Sequence, residues 1–187
     1  VPPTPPPDAA APGDVPGFTA DELLTWSGLA TLLEWLPAAL DAQLGAAAGV
    51  THFEFGVLFA LGAADEGSLR MSVLAGHANS SLTRLSRAVT RLEQRGWVRR
   101  APDPGDGRYT LAILTDLGRT EVERATPGHV ATVRRLVLEP LTGAQRRQLQ
   151  GIVQRILTTT GPAGAWRPPG GGAGTSGGAG SSGAAVP

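Results

Sequence analysis

Thr83, Arg84, Arg87, Arg91 and Gln94 recur at intervals that place them along one side of a helix turning about 100° per residue. A guanidinium offers parallel N–H donors to a phosphate or to guanine O6 and N7, so this set suits gripping a nucleic-acid backbone and reading base edges. Leu82, Leu85, Val89 and Leu92 occupy the opposite stripe. The result is an amphipathic helix with a basic outer face. Asn79, Ser80 and Ser81 are residue types that cap a helix start, and Gly96 is the type that ends one. Beyond Gly96, residues 97–100 and 108–114 are rich in β-branched and aromatic residues. The Pro- and Gly-containing residues 101–107 separate them, which predicts a hairpin carrying Asp106 and Arg108 at its tip. A solvated arginine face on a lone helix would be unremarkable; the attached basic hairpin argues against that reading.

Charge distribution supports the same placement. The 187 residues carry 16 basic and 16 acidic side chains, and every basic one is Arg. Residues 1–69 hold nine acids and no Arg, residues 70–108 have a net charge of +5, and the remainder +4. Positive charge is therefore local, as nucleic-acid binding requires.

The chemistry the chain lacks is equally informative. There is no Cys, which excludes disulfides, thiol redox sensing and a Cys-based zinc site. His52, His77 and His129 are widely spaced, with no H-E-x-x-H pattern and no nucleophile elbow. No enzyme, metal or cofactor is expected. The apolar runs fall short of a membrane span and no signal peptide is legible, so a soluble cytoplasmic protein with no membrane partner is expected.

The elements that must position the basic helix follow from periodicity. Thr19 with Asp21 and Glu22 opens a long helix through Leu29, Leu33, Leu36, Leu40 and Leu44, bent at Pro37. A second helix starts at Thr51, burying Phe55, Leu58, Phe59 and Leu61. A short third runs from Arg70 to about His77, and a turn at Ala78 and Asn79 leads to the basic helix. After the hairpin, Thr115 opens a helix interrupted at Pro127-Gly128 and ended by Pro140. Thr142 caps a last helix with Leu149, Ile152, Val153, Ile156 and Leu157 on its apolar side. The predicted fold class is mainly α with a small β-hairpin wing: a winged helix-turn-helix with flanking dimerisation helices.

Residues 18–158 are expected to form one domain, with outer helices at 19–47 and 116–158 around a nucleic-acid-binding module at about 51–115. Residues 1–17 and 159–187 are too poor in bulky apolar side chains to fold. The G-x-G-x-x-G string at Gly172–Gly177 has no flanking strand or helix and is compositional. Surplus apolar surface on the outer helices predicts a homodimer, whose twofold axis would match a pseudo-palindromic double-stranded DNA operator. Trp26, Trp35, His52, Phe53, Phe55 and Phe59 are candidates to line an effector cleft, or simply to fill core. The competing overall readings are a DNA-binding regulator without an effector, and a helical dimer that never meets nucleic acid.

The order Leu74-Ala75, Ser80 to Arg91, Arg91-Leu92-Glu93-Gln94-Arg95-Gly96, Val98-Arg99-Arg100, Asp106-Gly107-Arg108 and Leu114-Thr115-Asp116-Leu117-Gly118 resembles the MarR-type family of multiple antibiotic resistance regulators. The resemblance covers roughly residues 20–158. It implies a homodimeric regulator, usually a repressor relieved by a small ligand. It also implies recognition-helix contacts from Ser81, Thr83, Arg84, Ser86, Arg87 and Arg91, and a wing tip in which Arg108 meets DNA and Asp106 helps to hold the wing. Many members carry Thr at the position of Ser86.

Overall fold

The computed structural model describes residues 17–160. Most of both terminal stretches expected to be unfolded, and the Gly172–Gly177 string, lie outside the described residues.

The helix α1 (Ala20–Ala48) starts at a capping box in which the Thr19 side chain accepts from the Glu22 backbone N–H while the Glu22 carboxylate accepts from the Thr19 N–H. An identical box, Thr51 with Glu54, starts α2 (His52–Gly62). A 3₁₀ turn (Asp65–Gly67) leads into β1 (Ser68–Arg70), then α3 (Met71–His77) and α4 (Leu82–Gln94). Strands β2 (Val98–Asp103) and β3 (Asp106–Leu114) form the hairpin, and α5 (Asp116–Val133) passes through a π-helical segment (Arg134–Leu138) before α6 (Gly143–Thr160). The last helix thus runs slightly past the expected boundary at 158.

Several local expectations are corrected. Asn79 does not cap the basic helix; it ends α3. At φ +44° it occupies the left-handed position of a Schellman motif, with Asn79 N–H donating to Gly76 O and Ser80 N–H to Ala75 O. Ser81 alone caps α4, accepting from the Arg84 N–H. The hairpin strands reach further than predicted, leaving a tight turn, and β1 adds an unforeseen third strand in the antiparallel order β1-β3-β2. Three residues are too few to show an alternation, so β1 has no signature of its own in the sequence.

Neither internal proline breaks its helix. Pro127 lies within α5 and Pro37 within α1. Each proline removes one donor, and the carbonyls left without it, at Glu123 and Leu33, belong to solvent-exposed residues. In length and composition α1 also matches a membrane-crossing helix, contrary to the reading of short apolar runs, because only Glu34 interrupts the stretch between Glu22 and Asp41.

The core sits where α1, α2, α3, α4, α5 and the sheet meet. Leu44, Leu61, Leu74, Leu85, Val89 and Leu92 are fully buried there. Leu82 and Phe59, expected on buried faces, are 54% and 52% exposed. Leu82 is the first residue of α4, where the helix has not yet met the core.

Candidate nucleic-acid interface

Burial of Leu85, Ala88, Val89 and Leu92 turns the opposite face of α4 outward, leaving Thr83, Arg84, Arg87, Thr90 and Arg91 exposed and Ser86 half-buried. Several contacts fix the attitude of that helix. Its C-terminus closes in a second Schellman motif, with Gly96 at φ +73°, Gly96 N–H donating to Glu93 O and Trp97 N–H to Leu92 O. Arg100 of β2 donates to Ser86 O at 2.7 Å, to Thr90 Oγ1, and to the Glu93 carboxylate, binding the helix to the wing. Arg95 donates to the free carbonyls of Ala48 and Gly49, satisfying orphan acceptors at the end of α1 while stacking on Trp97. Arg124 of α5 does the same for Ala47.

The wing tip forms a two-pronged ion pair: Arg108 Nε donates to Asp106 Oδ1 at 2.9 Å and Nη2 to Oδ2 at 2.7 Å. The Arg108 side chain nevertheless stays 85% exposed. The guanidinium beside Asp106 holds its carboxyl below the usual carboxylate range, and the pair raises the Arg108 pKa. Asp106 therefore has the geometry to orient the arginine.

Two other members of the predicted set have additional tasks. Ser81 uses its hydroxyl as the α4 cap. Arg91 donates through Nε to Glu54, which is buried at 5% exposure. Burial pushes the Glu54 carboxyl up, but the Thr51 N–H and the Arg91 guanidinium outweigh it and hold the group below its ordinary value.

A cleft of about 1050 Å³ opens between α1, α2 and α4. His52, Phe53 and Phe59 line it, together with His77, Arg84 and Arg91. Arg84 lies over the Phe53 ring, 4.2 Å from its centroid, so this predicted base-reading residue also borders the cleft. The other aromatic candidates are placed elsewhere. Phe55 is 4% exposed in the core, while Trp26 and Trp35, 51% and 74% exposed on α1, are not among the lining residues. The sequence offered all six as cleft or core without distinguishing core, cleft and surface.

Sequence reasoning missed Glu54, Arg70, Arg95 and Arg100. Two signals were available: Thr51-x-x-Glu54 is a capping-box spacing, and strand alternation puts Arg100 on the same face as the buried Val98. Nothing local marks Arg70 or Arg95, whose partners are 33 and at least 46 residues away.

A capped helix with an exposed arginine face, a preceding helix joined through a tight turn, and a following basic hairpin together define a winged helix-turn-helix DNA-binding protein. The model of the MarR family matches residues 48–108. The solved structure of Sco3205, a MarR family transcriptional regulator from Streptomyces coelicolor in complex with DNA, is 39% identical. It aligns over 81% of this chain and 95% of that one, with a TM-score of 0.77. The PcaV regulator from the same organism, solved with its natural ligand, is 25% identical over 73% of this chain and 94% of its own, with a TM-score of 0.62. PecS of Dickeya dadantii, an HTH-type transcriptional regulator, is 38% identical over 42% of this chain, and the chain spans 45% of that curated relative. The chain belongs to the MarR family of transcriptional regulators.

Proposed function

We propose that the protein is a homodimeric, sequence-specific repressor that binds a pseudo-palindromic operator in double-stranded DNA and releases it when a small, apolar-bodied effector enters the cleft. Residues 18–158 act as one unit, with 51–115 engaging DNA and the outer helices holding two copies together. Ser81, Thr83, Arg84, Ser86, Arg87 and Arg91 address the major groove, and Arg108, steadied by Asp106, the flanking backbone. No catalytic step, metal or cofactor enters this scheme, and the protein acts in the cytoplasm, where its operator is.

The observation that carries the reading is that one helix serves both sites. Arg84 and Arg91 project from α4 into the cleft wall, while Arg87 and Arg91 border the outward groove of the same helix. An effector that moves α4 against α2 therefore acts directly on the DNA-reading face, and it does so only to the extent that it prefers the incompetent form. PcaV, solved with its ligand, supports an effector role in the family. Exposed apolar side chains on α1 and α6 support the dimer.

The test is electrophoretic mobility of the DNA upstream of the protein's own coding region, repeated with aromatic acids. Retardation that falls steeply with salt and is reversed by one of these acids is expected. Binding indifferent to salt would refute the DNA assignment. Tryptophan fluorescence titrations with and without DNA test the coupling, since the two ligands must weaken each other by the same factor.

A further inference from the structure

A separate groove of about 300 Å³ lies between the wing and the start of the recognition helix, lined among others by Arg70, Ser72, Ser86, Arg108, Tyr109 and Thr110. Arg70 ends β1, and its Nε donates to Asp103 Oδ2 at 2.6 Å. Its guanidinium stacks 4.4 Å from the centre of the Tyr109 ring. One residue from each strand thus meets in a single clasp: Arg70 from β1, Asp103 from β2 and Tyr109 from β3.

The clasp holds the arginine without consuming it. Only Nε is engaged, so the two η nitrogens have no hydrogen-bond partner among the described residues, and the side chain is 42% exposed. Asp103 is itself fixed: the Gly105 N–H and then Arg70 keep its carboxyl below the usual range. Arg108, on the same groove, is held by Asp106 in a comparable way. The third arginine of the groove, Arg100, is committed to Glu93, Ser86 and Thr90.

Two tethered guanidiniums flanking the hydroxyls of Ser72, Tyr109 and Thr110 suit a phosphodiester, which accepts hydrogen bonds and bears one negative charge. The groove also lies between the two elements that straddle a duplex in a winged helix. We propose that Arg70 and Tyr109 grip a backbone phosphate of the bound duplex, the η nitrogens of Arg70 making the contact and Asp103 acting as its positioning residue. This rests on the DNA-binding reading and adds to it a contact outside the recognition helix and wing tip. Holding the guanidinium in place beforehand lowers the ordering entropy lost on binding.

A purely structural strut would give the same ion pair, so the test reads charge neutralisation. The full chain is titrated with a mixed-sequence duplex over a range of salt concentrations, because a backbone contact serves every sequence. Arg70→Gln retains a hydrogen-bond donor for Asp103 but loses the charge. Its log–log salt slope should become shallower by about 0.9 per bound protomer, the value for one lost phosphate contact. Low-salt affinity should drop about tenfold per bound protomer, in keeping with one charged hydrogen bond each. Arg70→Lys should keep the slope and so control for folding. Asp103→Leu removes the acceptor that holds Arg70 Nε; weaker binding, despite the loss of a negative charge near the DNA, is expected if Asp103 positions the guanidinium. If Arg70→Gln lowers the melting temperature but leaves the slope at the wild-type value, Arg70 is only a strut and the proposal is overturned. If the wild-type chain binds no duplex even at low salt, the DNA-binding reading falls first and this contact with it.

Discussion

The middle of the molecule and its outer helices use the same amino acids to different ends. In the middle, Leu44, Leu58, Leu61, Leu74, Leu85 and Leu92 are all but excluded from solvent. In α6 no residue is buried, although Leu149, Ile152, Val153, Ile156 and Leu157 recur with helical spacing. Helix α1 is divided between the two regimes. Leu40 and Leu44 at its C-terminal end enter the core, whereas Leu24, Trp26, Leu32, Leu33 and Trp35 are exposed by half or more. Periodicity thus reports that a helix face calls for burial, but it does not report whether the same chain supplies the cover. The core residues cover one another, Leu44 of α1 and Ala125 of α5 included, whereas the N-terminal part of α1 and all of α6 find no such cover among the described residues.

The largest expected effect tests that contrast directly. Leu61→Ala removes a fully buried side chain and should destabilise the protein by about 2–5 kcal/mol in urea titrations, at any protein concentration. Ile156→Ala, on a 41% exposed residue, should instead weaken association, so that the thermal midpoint falls most at low protein concentration, as expected when folding is linked to association. A large, concentration-independent loss at Ile156 would erase the distinction between the regions.

The joint between them is the next test. A Cβ on Gly118 would collide with the carbonyl oxygen of Trp97, so the start of α5 touches the base of the wing backbone to backbone. Gly118→Ala should destabilise by about 1–3 kcal/mol, as over-packing does, and weaken DNA binding in parallel. An unchanged melting temperature would mean that this close approach is not maintained.

The twin capping boxes sharpen the comparison on a smaller scale. Thr51→Ala should lower global stability by about 1 kcal/mol, because α2 is a core helix. Thr19→Ala removes the same bonds from an exposed end and should only fray α1, seen as a small loss of helical circular dichroism before the main transition.

The smallest effect involves His129, which stacks on His52 and packs on Phe55. Burial, with His52 second, lowers its pKa. The unfolded chain therefore takes up the proton first as pH falls, and stability should decline below about 6.5, the ordinary histidine value. His129→Asn should flatten that part of the stability–pH profile measured by urea unfolding. A profile identical to wild type would show that this imidazole does not titrate between the two states.

Much of the exposed arginine face of α4 was legible in the sequence, because a buried stripe and a basic stripe on one helix need only the helical repeat to be separated. The capped start at Ser81, the break at Gly96 and the paired Asp106 and Arg108 are likewise local signals, since each partner lies within a few residues. The cleft was less legible: His52, Phe53 and Phe59 border it, but Phe55, four residues before Phe59 in the same helix, is core. That difference depends on how α2 is rotated against α1 and α5, which no single-helix pattern encodes.

By itself, then, the sequence determined the helices, their caps, the basic face and the order of a winged helix, all of which depend on interactions spanning a turn or two of chain. Only the tertiary structure decided which arginines were held and by what. Arg70 reaches Asp103, Arg91 reaches Glu54 and Arg95 reaches the end of α1 across 33 to 47 residues of chain. A guanidinium at the end of a flexible stem has no local preference among carboxylates; folding chooses for it by bringing one within reach.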